Sequence, residues 1–536
     1  MSLCFLPYSE FRGNIFGIKR HLGDFARTPV QLCPTPVKSL ADILTSLVPA
    51  TVFGIPDRLV SSVEYDSRRC REYSLFVAMP GAATDGHLYI EAAIMTGART
   101  VICERLPDER HAECTYVVVP DARAALALAS HAYYDFPAKK LRVIGVTGTN
   151  GKTTVTFLLK AMLEKAGEKV GLIGTTGNYM GEEMLPATHT TPEAPELCRL
   201  FADMRLHGVS TVIMEVSSHA LALRRVVGIP FAAALFTNLT HDHLDFHGTM
   251  ENYSRTKKML FDSLAPDAIA LADGDNGYSM YMLCETKARR AYMTGRSGRF
   301  DAVISNEKIG LNGSTFTLKF CGKLPPELHG EDEFSIKLPG HYNVENAALC
   351  VVLGRLMELP EAAIKKGLAG AKGAPGRMQR INLPDGVTAF VDYAHTPDAL
   401  RKSMGTCREL LPQGGRLIAV FGCGGNRDPF KRPVMGSIAA ELAEKVIVTA
   451  DNPRNESPEQ IIQEIISGIP KRQRAGVRAI TSRRAAIREA VGEARSGDVI
   501  IIAGKGHETY QIIGADTHYF NDVEEVTEAG KLLAQA

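Results

Sequence analysis

The stretch from Leu141 to Thr154, LRVIGVTGTNGKTT, sets chemistry-bearing residues at fixed offsets behind an apolar, β-branched run. Gly148 and Gly151 let the backbone approach an anion, and the unpaired amides of a helix start point at it. Lys152 adds a point charge, and a hydroxyl from Thr153 or Thr154 suits a magnesium ion. With Thr149 and Asn150 these residues read as a cradle for nucleotide phosphates. The spacing departs from the strict P-loop pattern, because Val146 stands where the outer glycine is expected and Gly145 lies one residue earlier. A ligand-free strand-to-helix turn would not need Lys-Thr-Thr at the helix start.

Other polar groups follow apolar runs in the same way. Glu215, ahead of Ser217, Ser218 and His219, is an acid at a strand end, suited to a hard cation that prefers oxygen. Thr240 to Gly248, THDHLDFHG, packs three histidines and two aspartates. No cysteine or further cluster nearby completes a zinc site, and a solvated loop accounts as well for His241 and His247. Lys257 lies on an amphipathic segment from Tyr253 to Phe261 and, on residue type alone, reads as a surface lysine. Asp392, opening DYAHTPD, is an acid that could reach a nucleotide from a neighbouring domain. Gly422 to Asp428, GCGGNRD, lacks the last glycine of a dinucleotide fingerprint. Arg427 there, Arg454 in Asp451-Asn452-Pro453-Arg454 and Glu508 in Gly504-Lys505-Gly506-His507-Glu508 look like a pocket for a zwitterion, since guanidinium forks pair with carboxylates.

These groups need rigid elements beneath them. Short buried strands are expected at Leu75–Met79, Thr100–Cys103 and Tyr116–Val119, with a helix over Ala122–Tyr134. Further strands are expected at Val143–Val146, Val170–Ile173, Thr211–Met214 and Ala232–Phe236, mostly separated by helical segments. That rhythm predicts an α/β chain built on mainly parallel sheets, whose ligands sit beyond strand C-termini. A length of 536 residues suggests roughly three or four domains. The expected divisions are an N-terminal extension over 1–35, and domains over 36–138, 139–373 and 374–536. A net charge of +1 gives no global attraction to nucleic acid. No apolar run reaches the roughly 18–20 residues of a membrane span. The start of the chain is a poor signal peptide, and eleven scattered cysteines without a CxxC pair suit a reducing cytoplasm.

Taken together, DSR (Asp66 to Arg68), DGH (Asp85 to His87), TGTNGKTT, TTP (Thr190 to Pro192), EVSSH, THDHLDFHG, PGHYNVEN (Pro339 to Asn346), GRMQ (Gly376 to Gln379), DYAHTPD, GCGGNRD, DNPR and GKGHE resemble the Mur ligases of peptidoglycan synthesis, from about residue 40 to the end. The resemblance implies a uridine-nucleotide-binding N-terminal domain, a central P-loop-type ATPase domain and a Rossmann-like C-terminal domain. It implies ATP and Mg²⁺, and small-molecule substrates. These are UDP-N-acetylmuramoyl-L-alanyl-D-glutamate, joined through an acyl phosphate, and, from the DNPR motif, meso-diaminopimelate. No nucleic-acid partner or membrane insertion is expected, and the expected form is a monomer.

Residue roles carry over at matching positions. Tyr65, Ser67 and the loop Ala82, Ala83 and Thr84 would hold the uridine nucleotide. Thr190, Thr191, Ser217 and Arg225 would hold the muramoyl dipeptide. Asn343, Arg377 and Asp392 would join the cradle around ATP. Glu215 and His243 would ligate magnesium with Thr153. Lys257 matches the family's carbamylated lysine, which reverses its reading as a surface residue, and with Lys152, Glu215 and His243 it would form the catalytic set. Arg427, Asp451, Asn452, Pro453, Arg454, Gly504 and Glu508 would cradle meso-diaminopimelate, whose extra carboxylate Arg454 can pair. Leu223 stands where some relatives carry a substrate-contacting glutamine. Asp273-Gly274-Asp275-Asn276 matches the family's nucleotide loop only loosely. Folylpolyglutamate synthase-like ligases share the ATPase core, but an N-terminal domain carrying DSR and DGH argues against them. A lysine-adding relative has no need of DNPR, and a P-loop switch would hydrolyse nucleotide without either substrate.

Overall fold

A computed structural model of the chain describes residues 33–47, 49–81 and 84–535. Most of the expected N-terminal extension, and Ala82 and Ala83 of the expected uridine loop, lie outside the described residues. The unit from Thr35 onward is built on three main sheets.

The first sheet has five strands in the order Thr51–Phe53, Thr115–Val118, Ala98–Cys103, Ser74–Val77, Ser62–Glu64. Only the first pair is antiparallel. The helix Ala122–Tyr133, capped by Asp121, buries its alanine-rich face on one side of this sheet. The helix Ile90–Met95 covers the other.

The second sheet has eleven strands. Its parallel run is Val170–Gly174, Thr211–Glu215, Arg142–Thr147, Phe231–Phe236, Ile269–Asp273, Arg290–Gly295 and the start of Ala302–Gly310. Strands sandwiched between helices must be apolar on both faces. Val143, Ile144 and Val146 accordingly have no exposed surface, and the helices Lys152–Lys165 and His341–Leu356 close over Ile144 and Val146. Antiparallel strands extend both edges: Gly177–Met180 and Glu183–Leu185 on one side, Gly313–Phe320 and Gly330–Ile336 on the other. Residues 371–378, which lead to the third sheet, carry no helix or strand.

The third sheet runs Gln379–Asn382, Thr388–Asp392, Val499–Ala503, Leu417–Phe421, Lys445–Val448, Val477–Ala479, and is parallel except for its first pair. Its strand ends carry Asp392, Gly422, Asp451 and Gly504, so one edge gathers four of the polar motifs. Cysteines from Cys70 to Cys423 form no disulfide. Among the described residues, no helix is long and apolar enough to cross a membrane.

Candidate active site

The cradle begins where the central strand Arg142–Thr147 turns into the helix Lys152–Lys165. Gly148 has φ +150°, and a Cβ there would lie 1.9 Å from Thr237 Oγ1. Gly151 has φ +87° and sits at the helix start against Asn346. Only glycine fits either position without displacing these neighbours. The loop is stitched to the neighbouring strand end. Asn238 O accepts from Thr149 N at 2.8 Å, Asn238 Oδ1 accepts from Asn150 N at 3.0 Å, and Thr237 Oγ1 donates to Asn150 O at 2.6 Å.

Lys152 Nζ folds back onto its own loop, donating to Gly148 O and Thr149 O at 2.9 Å each. Burial pulls its ammonium below the usual lysine range, with Glu215 opposing and Arg377 reinforcing that shift. Lys257, on the helix Met250–Asp262, is only 1 % exposed. Its Nζ donates to Gly148 O at 2.9 Å, within 4.8 Å of the Tyr253 ring centroid. Burial first, then Lys152, hold its pKa well below the ordinary lysine value.

Glu215 closes the strand paired in parallel with the cradle strand, opposite Val146. It is fully buried, and its carboxylate accepts from Thr175 N at 3.0 Å and Thr175 Oγ1 at 3.1 Å. Thr175 Oγ1 lies 3.0 Å from Thr190 Oγ1. Thr191 Oγ1 donates to Glu215 O at 2.8 Å and accepts from Ser217 N at 3.1 Å. Ser217 caps the helix Ser218–Ala222. Arg225 donates to Thr191 O at 3.0 Å and pairs with Glu193 at 2.7 Å. The expected dipeptide residues therefore form one hydrogen-bonded group around Glu215. Glu193, next to the quoted TTP, was the member that residue type did not single out.

The expected uridine residues meet this group through one helix. Glu196, in the first turn of Ala194–Leu206, accepts from Tyr65 OH at 3.1 Å and from Arg69 Nη1 at 3.2 Å. Ser67 is buried in the turn that Asp66 caps. Thr84 Oγ1 donates to Tyr89 OH at 3.3 Å, and Asp85 accepts from His87 N and Nδ1.

The histidine loop divides. His247 is buried, 2.9 Å from Ser218 Oγ and stacked on Tyr253, and burial brings its pKa down to about 4. It is packed, not solvated. His241 is exposed. His243 sits at φ +54° with its ring edge-on to His219 at 5.0 Å and Nε2 3.4 Å from Asp242.

Among the described residues, no group of three His, Cys, Asp or Glu side chains could hold a metal. The donor chemistry nonetheless fits a hard cation at Glu215, whose carboxylate lies on the strand end beside the cradle and, among the described residues, carries the two Thr175 hydrogen bonds. Lys257 fits such a set only as an anion, because an amine offers no oxygen.

A cleft opens between the cradle and the third sheet. Asn150, Gly151, Thr154 and Asn343 line it from one side, and Arg377, Asp392, Tyr393 and Lys402 from the other. Arg377 Nη2 donates to Thr153 Oγ1 at 3.4 Å, with its guanidinium 4.6 Å from the Tyr393 ring centroid. Asp398 Oδ2 accepts from Asn150 Nδ2 at 3.1 Å. Asp392 accepts from Met378 N, Ala394 N and Ser403 Oγ. Burial pushes its carboxyl above the usual range, outweighing Arg377 and those three hydrogen bonds. Asn343 donates to Pro339 O at 2.7 Å. Asp275 of the loosely matching loop pairs with Arg296.

Along the same edge of the third sheet, Asn452, Arg454, Gly504 and Glu508 come together with Lys505. Asn452 Nδ2 donates to Glu508 Oε2 at 2.8 Å. Arg454 has φ +52°, and its Nη1 donates to Gly425 O at 2.8 Å. Pro453 packs on Gly425, and Asp451 on Gly504. Arg427 is exposed, yet its side-chain stem and the Arg454 guanidinium both flank Gly424. His507 is nearly buried, with a pKa lowered to about 4 by burial, and bonds the Thr175 backbone, so this motif also meets the Glu215 group.

Family profiles match three successive stretches: the Mur ligase family catalytic domain over residues 59–134, the Mur ligase middle domain over 146–354, and the Mur ligase glutamate ligase domain over 376–506. The UDP-N-acetylmuramoyl-L-alanyl-D-glutamate–2,6-diaminopimelate ligase of Clostridium botulinum is 42% identical over 485 residues, 88% of this chain and 95% of that protein. Its namesake from Caldanaerobacter subterraneus subsp. tengcongensis is 43% identical over 490 residues, 91% and 98% of the two chains. A solved structure of a protein of that name superposes with a TM-score of 0.66 at 32% identity, covering 94% of this chain and all of that one. Three profiles in order and near-complete coverage of these relatives lead to one conclusion: the chain belongs to the Mur ligase family.

Proposed function

We propose that the protein is an ATP-dependent ligase that joins meso-diaminopimelate to UDP-N-acetylmuramoyl-L-alanyl-D-glutamate through an acyl phosphate, in peptidoglycan precursor synthesis. The observation that carries this reading is the cavity where the Asn150–Gly151 cradle faces Arg377 and Asp392 across two sheets. The names of relatives matched over nearly their full length support the substrate assignment.

In the reaction, a carboxylate oxygen of the D-glutamate attacks the γ-phosphorus, and the bond to the β-phosphate oxygen breaks to release ADP. The amine of diaminopimelate then attacks the acyl carbon, loses a proton, and expels phosphate. Phosphoryl transfer mainly requires positioning and charge neutralisation. The cradle amides and Lys152 hold the phosphates. Thr190, Thr191, Ser217 and Arg225 orient the dipeptide beside Glu215. Arg377 and Asp392 carry the third domain over the nucleotide, excluding water from the acyl phosphate. The Asn452–Arg454–Glu508 group receives the amino acid, Arg454 facing a carboxylate and Glu508 an ammonium. Thr153, Glu215, His243 and a carbamylated Lys257 would hold magnesium, which neutralises the charge between the phosphate oxygens and the attacking carboxylate. The domains over 36–138, 139–373 and 374–536 would take the uridine, ATP and amino-acid roles in a cytoplasmic monomer.

The test is an amino-acid panel assayed by product mass with the UDP-dipeptide and ATP. The expected result is one product, with diaminopimelate, and ADP release that needs both substrates. A lysine adduct formed equally well, or hydrolysis without either substrate, overturns the reading.

A further inference from the structure

Lys505 lies inside the third domain with no exposed surface. Gly504 has φ +118°, and a Cβ there would meet Asp451 Oδ2 at 2.5 Å. Gly506 has φ +54° and is pressed against Gly376 O and Tyr393. Gly504 N also donates to Asp392 O at 3.1 Å, which ties the turn to the neighbouring strand. Glycines on both sides in positive-φ conformations turn the lysine between them inward.

A buried ammonium is tolerated only where acceptors meet it. Lys505 Nζ donates to Asn452 Oδ1 at 3.1 Å and to Glu508 Oε2 at 3.0 Å, and lies 5.4 Å from the Tyr510 ring centroid. Asn452 Oδ1 also accepts from Ile512 N at 3.0 Å. Two donors on Oδ1 fix which way the amide points, so Nδ2 faces Glu508 Oε2. That oxygen is thereby held by two donors, while no donor to Glu508 Oε1 is recorded among the described residues.

We propose that Lys505 is a positioning residue of the amino-acid pocket: it locks the Asn452 amide and one oxygen of Glu508, leaving the other oxygen presented to the ammonium of the incoming amino acid. This rests on the ligase reading above. In it, Asn452 also serves as a strut, bonded to Lys505, Ile512 and Glu508. Lys505 does not line the cleft beside the cradle, so its influence would reach the reaction through the fit of the amino acid.

The experiment compares Lys505→Met and Lys505→Gln with the wild-type protein, measuring KM for meso-diaminopimelate, KM for ATP, kcat and thermal unfolding. The glutamine variant keeps a donor for Asn452 Oδ1 without the charge. The expected result for Lys505→Met is a rise of about 10- to 100-fold in KM for diaminopimelate. KM for ATP should stay within about twofold, and Lys505→Gln should recover part of the loss. In parallel, diaminopimelate should raise the unfolding temperature of the wild-type protein, and at equal ligand concentration that increment should shrink in Lys505→Met and be partly restored in Lys505→Gln. Unchanged KM for diaminopimelate in a folded variant, or equal losses for ATP and diaminopimelate, overturns the proposal. A wild-type protein that ligates no amino acid would instead overturn the ligase reading, so the two failures are distinct.

Discussion

Lys152 and Lys257 donate to the same carbonyl oxygen, that of Gly148, each at 2.9 Å. Two buried ammonium groups on one acceptor repel, and burial with that repulsion lowers the Lys257 pKa well below its ordinary value. The arrangement is unfavourable as long as both lysines are cations, and it is relieved when one becomes neutral or anionic.

A neutral Lys257 amine can attack carbon dioxide, losing a proton to give a carbamate. We therefore expect activity to depend on dissolved bicarbonate. Protein stripped of carbon dioxide in mild acid, where carbamates decompose, should lose most turnover, and bicarbonate at higher pH should restore it. A carbamate carbon signal in ¹³C-bicarbonate NMR should be present in the wild-type protein and absent in Lys257→Ala. No signal, together with activity indifferent to bicarbonate, would remove the carbamate from the site.

Lys152→Ala should leave the fold intact and lower kcat by about 10²–10³-fold, the range seen when one preorganised charge partner of a transition state is lost. The side chain already bends over the loop it would share with the phosphates. Retention of most activity would contradict its role at the cradle.

Much of this geometry is legible in the amino-acid sequence. A parallel strand reads as an unbroken apolar run, and its polar follower marks the end where ligands bind, which is how Glu215, Asp392 and Asp451 could be singled out. The strand expected over Thr211–Met214 runs to Glu215, and the one over Ala232–Phe236 starts at Phe231. The antiparallel strands Gly313–Phe320 and Gly330–Ile336 were not legible, because their alternation acquires meaning only through a partner strand. Burial of single polar residues was equally hidden. The neighbours of His247 leave a solvated loop and a metal ligand equally open, yet Ser218 and Tyr253 enclose it. Lys505 is buried by a contact to Asn452, 53 positions away, that no local pattern encodes.

Arg454→Ala should weaken diaminopimelate binding while acyl phosphate formation, followed as ADP release in a single turnover, persists. Arg454 is half-buried and, among the described residues, its guanidinium is anchored to the backbone carbonyls Gly425 O and Asn452 O. Its loss should therefore sit at the low end of about 2–5 kcal/mol for a truncated charge contact. Discrimination against lysine should fall in parallel, since a guanidinium without a carboxylate partner penalises the lysine complex. Equal affinity for diaminopimelate in the variant would refute the pairing.

Acid should destabilise the fold through its buried histidines. His131 is 2 % exposed, against Gly228, and burial lowers its pKa to about 4. In the unfolded chain a histidine titrates near ~6.5. Between those values the unfolded state binds the extra proton, so stability falls as pH drops from about 6.5 to about 4 and is unaffected by this group above that window. The slope is at most about 1.4 kcal/mol per pH unit for one histidine. His247 and His507, with pKa values also lowered to about 4, add to it in the same direction. Denaturant unfolding of wild-type and His131→Leu protein across this range checks the assignment. The variant should lose one histidine's share of the acid sensitivity, and an identical pH slope in both proteins would mean that His131 is already protonated in the folded state.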